Sequence, residues 1–117
     1  MFTKLRTVIY HVQDLDEAKQ WYKAITGTEP YFDQPFYVGF DINGCELGLD
    51  PDMNGVEVGN HSVAYWLVDD IKAVLEKLTF NNATVTSPIT EVGDGVKVAV
   101  IKDPFGNAIG LIEEAGK

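Results

Sequence analysis

The chain has 117 residues, 45% of them hydrophobic, and a single cysteine. That length allows one ordinary domain with a real core, and Cys45 alone excludes an internal disulfide or a multi-cysteine zinc site. The formal charge of −9 disfavours nucleic acid and anionic membrane surfaces as partners.

The acidic balance serves solubility first, and it mildly favours cationic ligands. No apolar stretch approaches the length that spans a bilayer. Residues 1–20 lack the basic start and apolar run of a signal peptide, so a cytoplasmic location is expected.

Residues 5–12 read as a strand. Asp14 suits a helix N-cap, with Glu17 three residues on as in a capping box. Leu15, Ala18, Tyr22 and Ile25 then recur at helical spacing, and Gly27 suits the helix end. The stretch from Pro30 to Pro35 reads as irregular. Phe36–Ile42 and Cys45–Asp50 flank Asn43-Gly44, the strongest short hairpin signal. A two-residue turn there sets Ile42 against Cys45, Asp41 against Glu46, and Gly39 against Gly48. Alternation predicts a core face of Phe36, Val38, Phe40, Ile42, Cys45, Leu47 and Leu49. Tyr37, Gly39, Asp41, Glu46, Gly48 and Asp50 share the other face, where two facing glycines leave space.

Residues 51–61 are the most turn-like segment and the expected linker. A strand over 62–68, a cap at Asp69 or Asp70, and a helical stripe of Ile71, Val74, Leu75 and Leu78 follow. Strands near 84–90 and 96–102, a turn at 103–107 and a last strand over 108–113 complete the chain. Thr7-Val-Ile-Tyr-His-Val-Gln-Asp-Leu15 is echoed 56 residues later by Val63-Ala-Tyr-Trp-Leu-Val-Asp-Asp-Ile71. Such an echo implies two similar units. Each half reads β-α-β-β-β: module 1 over about 1–50 and module 2 over about 62–115.

Four segments carry a resemblance. They are Val12-Gln-Asp-Leu15 leading to Ala18 and Trp21-Tyr22, Gly44-Cys-Glu-Leu-Gly-Leu49, Val68-Asp-Asp-Ile71, and Asp103-Pro-Phe-Gly-Asn107 leading to Gly110-Leu-Ile-Glu113. In this order the sequence resembles the vicinal oxygen chelate superfamily. That superfamily includes glyoxalase I, extradiol dioxygenases, fosfomycin-resistance enzymes and bleomycin-resistance proteins. The resemblance implies an α+β fold in which two modules form a curled mixed sheet around a ligand-holding cup. It also implies pairing of small members as homodimers. Its metal-using members would place ligands at Thr7, Glu46, Val63 and Gly110, where only Glu46 is a strong donor. Neither a metal nor another cofactor is therefore expected.

The ligand-contacting candidates are His11, Tyr37, Asp41, Glu46 and Tyr65. His11 shares the parity of Thr7 and faces the cup, as a hydrogen-bonding group or a general base. His61 is more simply a solvated loop residue. Asp41 and Glu46 oppose each other across the hairpin. They read first as two solvated carboxylates near a turn, or else as a pair in which one pKa is raised or as a point of attraction for a cationic ligand. Tyr37 and Tyr65 can stack on a planar or cationic guest. Cys45 reads as a small buried hydrophobe.

The preferred reading is a metal-free binding protein of the bleomycin-resistance type that holds a small, cationic or aromatic molecule. The alternative is a glyoxalase-like lyase or isomerase, or a dioxygenase-related enzyme, with an unusual or absent metal site. A third is an interaction module whose cup is vestigial.

Overall fold

Asp14 begins the first helix as its sequence position predicts, accepting the Glu17 backbone N–H at 3.0 Å. Gly27 ends that helix at φ 67°, in the left-handed region that L side chains disfavour. The chain is described by a computed structural model over residues 1–56 and 63–115. It divides into two units, Met1–Val56 and Glu57–Lys117. Among the described residues no helix is long and apolar enough to cross a membrane.

The first unit comprises β1 (Thr7–His11), α1 (Leu15–Thr26), β2 (Phe32–Gln34), β3 (Tyr37–Ile42) and β4 (Cys45–Asp50). Its sheet runs β1-β4-β3-β2. β1 lies parallel to β4, and the other pairs are antiparallel. Asn43 and Gly44 both take positive φ, 51° and 94°. That is the primed turn whose twist suits a two-residue hairpin, and it sets Asp41 opposite Glu46 and Gly39 opposite Gly48. Helix α1 packs on β3 and β4. Tyr10, Val12, Ala18, Tyr22, Val38, Phe40, Leu47 and Leu49 are buried as the core of this unit. The Tyr10 and Tyr22 rings stack at 6.1 Å.

Three expectations fail in this unit. Residues 32–34 form an edge strand, registering Gln34 with Tyr37 and Phe32 with Gly39. Pro35 and Phe36 are the turn between β2 and β3. Proline presets φ for a turn position, so Phe36 sits at a tip, 66% exposed, and not on the core face. Cys45 is only half-buried, because it borders the hairpin turn.

The second unit repeats the plan with β5 (Tyr65–Leu67), α2 (Ile71–Phe80), β6 (Thr84–Gly93), β7 (Val96–Lys102) and β8 (Ala108–Glu113). Its sheet runs β5-β8-β7-β6, the same topology one module later. The fold is thus α+β, two β-α-β-β-β modules each with its own mixed four-stranded sheet. Asp70 caps α2 by accepting the Ala73 N–H at 3.1 Å, and Glu113 accepts the Ile71 N–H at 2.9 Å. Ile71, Leu78, Ala99, Ile101, Ile109 and Leu111 are buried. Asp103, the buried polar residue of the Asp-Pro-Phe-Gly-Asn turn, accepts the N–H groups of Phe105 and Asn107 at 3.0 and 2.7 Å. That turn is structural. β6 runs on to Gly93, past the expected end, with register shifts between Val85 and Ser87, Ser87 and Thr90, and Glu91 and Gly93.

Candidate functional site

Polar chemistry in the first unit converges on Glu46, whose side chain is only 12% exposed. The parallel ladder puts Thr7 beside Glu46, and the hairpin puts Asp41 on its other side. Thr7 Oγ1 and Tyr37 Oη each donate to Glu46 Oε1 at 3.0 Å. Tyr31 Oη donates to Oε2. Arg6 Nη1 lies 3.7 Å from Oε1 and donates to Thr7 Oγ1 at 2.7 Å. Burial pushes the Glu46 carboxyl upward, yet the hydrogen bonds from Tyr31, Thr7 and Tyr37, with Arg6 nearby, hold it below its ordinary 4.5. Burial and the bond to Glu46 raise the Tyr37 phenol. The bond to Glu46 raises that of Tyr31.

The raised carboxyl weighed for the Asp41–Glu46 pair is therefore corrected for Glu46. Nor are the two a matched solvated pair. Asp41 is exposed and its Oδ1 accepts the Gly44 N–H at 2.8 Å, so it closes its own turn. The space beside the facing glycines is also taken. A Cβ at Gly48 would overlap the Tyr37 hydroxyl, and one at Gly39 would stand 2.6 Å from Glu46 Oε2 and 3.2 Å from Tyr31 Cε1. The glycines make room for this chain's own side chains. What remains is an open concavity of about 350 Å³ lined by Arg6, Tyr31, Asp41, Gly44 and Glu46.

The candidates are thus divided. Tyr37, Asp41 and Glu46 belong to one locality. His11 pairs in register with Asp50, four residues along β1 from Thr7, or about 13 Å at strand rise. Its Nδ1 donates to the Asp52 carbonyl at 2.9 Å, so it serves the loop after β4. Tyr65 lies in the second unit, 48% exposed. Its ring covers Gly110, where a Cβ would come within 2.6 Å. His61 lies outside the described residues. Sequence reasoning missed Arg6 and Tyr31. Arg6 lies inside the expected strand over 5–12 but just before the observed β1, and no pattern marks it. Tyr31 sits in the stretch read as irregular; it lies just before β2, where its backbone N–H bonds the Gly39 carbonyl at 3.0 Å.

The donor set does not fit the metal site that the resemblance implies. Tyr65 pairs with Gly110 as Ile9 pairs with Gly48. Since Ile9 and Tyr65 are 56 residues apart, Gly110 answers to Gly48, and the counterpart of Glu46 is Ala108. The repeat thus adds Ala108 to the positions that the resemblance implies. Val63, Ala108 and Gly110 offer no side-chain donor, Thr7 is a weak one already bonded to Glu46, and Arg6 adds a positive charge beside the carboxylate.

Residues 4–111 match the family described as Glyoxalase/Bleomycin resistance protein/Dioxygenase superfamily. The chain is 30% identical over 107 residues to the protein named "Putative glyoxylase CFP32" of Mycobacterium bovis. That match covers 84% of this chain but 41% of the relative. Among solved structures it is similar to a glyoxalase/bleomycin resistance protein/dioxygenase family enzyme from Burkholderia phytofirmans. The TM-score is 0.80 at 16% identity, with 95% of this chain and 98% of that one covered. It is likewise similar to the fosfomycin resistance protein FosX of Listeria monocytogenes. There the TM-score is 0.80 at 13% identity, covering 98% and 96%. At these identities the structural matches speak for the fold.

Two measurements probe the network. Gly48→Ala should expel the Tyr37 ring and cost about 1–3 kcal/mol in urea unfolding. Because the folded carboxyl sits below 4.5, its ionised form stabilises the fold above that pH. The benefit fades as pH falls through the lower, folded value. The stability gap between the native chain and Glu46→Gln should therefore narrow as pH drops from 7 to below 4.5. A gap independent of pH contradicts the assignment.

Proposed function

The chain belongs to the Glyoxalase/Bleomycin resistance protein/Dioxygenase superfamily, and we propose that it acts there by binding a small organic molecule without a metal. The observation that carries this reading is the Glu46 carboxylate, held ionised by three hydroxyls at the floor of an open concavity. A carboxylate so satisfied is a poor metal ligand, because coordination would require it to give up hydrogen bonds. It is also a weak general base, since its pKa is lowered, not raised. His11 stands about 13 Å away along the strand and is bonded to the Asp52 carbonyl. Acid–base catalysis shared by His11 and Glu46 has no geometry to support it.

What the concavity offers is recognition. Tyr31 is 59% exposed and presents its ring at the rim, Asp41 contributes a negative charge, and the chain is acidic throughout. These features suit a guest with an aromatic body and a cationic group. The reading resembles the bleomycin-resistance branch, whose members hold a compound without transforming it. The glyoxylase activity in the relative's name would need groups beyond those gathered here, and that relative is more than twice as long as the match.

A thermal-shift panel of cationic aromatic compounds and bleomycin-like drugs tests the proposal. At a hundred times its dissociation constant a true ligand adds about 2.7 kcal/mol, a rise of several degrees. Glu46→Ala should lose that rise. Protein purified without chelator or affinity tag should carry well under one divalent ion per chain. A stoichiometric ion lost on Glu46→Ala would overturn the metal-free reading.

A further inference from the structure

Arg6 is the only arginine in a chain with 18 acidic residues, and it lies at the concavity. Its guanidinium is only partly used. Nη1 donates to Thr7 Oγ1 at 2.7 Å and approaches Glu46 Oε1 at 3.7 Å. The Arg6 side chain is 77% exposed, and no other described residue accepts from it. Its outer edge therefore still presents parallel N–H donors, the arrangement that suits a planar anion bidentately. Asp41, on the same concavity, has Oδ1 on the Gly44 N–H, and no cation pairs with it among the described residues. The same concavity thus holds unspent positive charge on Arg6 and unspent negative charge on Asp41, with the Tyr31 ring among its lining residues as apolar surface.

A purely cationic guest would meet Arg6 as a repulsive neighbour. A purely anionic guest would meet Asp41, Glu46 and the field of the whole acidic chain. A guest with both charges matches both groups, and rejection of single-charge analogues follows from the group each would leave facing a like charge. Resting on the binding reading above, we propose that the concavity selects a small aromatic zwitterion, its carboxylate on the outer edge of Arg6 and its ammonium on Asp41.

The test uses three probes of one shape: L-phenylalanine, 3-phenylpropionate and phenethylamine. Affinities for the full chain are read by amide chemical-shift titration. L-phenylalanine should bind at least tenfold more tightly than either analogue. Arg6→Gln should remove that advantage over phenethylamine. Asp41→Asn, which keeps an oxygen for the Gly44 N–H, should remove the advantage over 3-phenylpropionate. Phenethylamine binding as tightly as L-phenylalanine, with Arg6→Gln without effect, overturns the zwitterion inference and leaves metal-free binding standing. Absence of binding by all three also overturns it, and the broad compound panel then decides the binding reading on its own.

Discussion

A carboxylate withdrawn from water must find donors, and Glu46 finds them on three sides of its own sheet. Thr7 reaches it from β1, Tyr37 from β3, and Tyr31 from just before β2. One side chain on β4 therefore ties together strands that the backbone ladder joins only pairwise. The arrangement is possible because Gly39 and Gly48 stand on the same face and leave room for the Tyr31 and Tyr37 rings. It makes Glu46 a member of a satisfied network rather than a free carboxylate.

The two modules share topology but not surface chemistry. Gly110 answers to Gly48, and both are covered by a tyrosine, yet from different strands: Tyr37 on β3 for Gly48, Tyr65 on β5 for Gly110. In the first module the covering phenol hydrogen-bonds a carboxylate. In the second the equivalent of that carboxylate is Ala108, and Val98, Val100 and Ile112 are half-buried on the same side by alternation. The polar function of the pattern is thus concentrated in one repeat. Both copies keep the helix caps, Asp14 and Asp70, which act locally and do not depend on what the open face does.

Local signals were the most legible part of the sequence. The Asn43-Gly44 turn fixes a register, and from it the partners of Gly39, Asp41 and Ile42 follow directly. The 56-residue echo finds the second module for the same reason. What was illegible depends on side chains meeting across strands. Parity put Tyr37 and Glu46 on one face but could not say that the glycine gap would be filled from within. The opposition of Asp41 and Glu46 suggested repulsion, because hydroxyls from Thr7 and Tyr31 are invisible at that range. Phe36 was misplaced because Pro35 makes a turn that a run of aromatics conceals.

The central claim is that hydroxyl donors hold Glu46 ionised, and a direct titration of that one side chain tests it. Carbon-13 NMR of the Glu46 carboxyl, followed with pH, should give a value below 4.5 in the native chain and a higher one in Tyr31→Phe. A native value above 4.5, or one indifferent to the loss of the Tyr31 hydroxyl, would contradict the account.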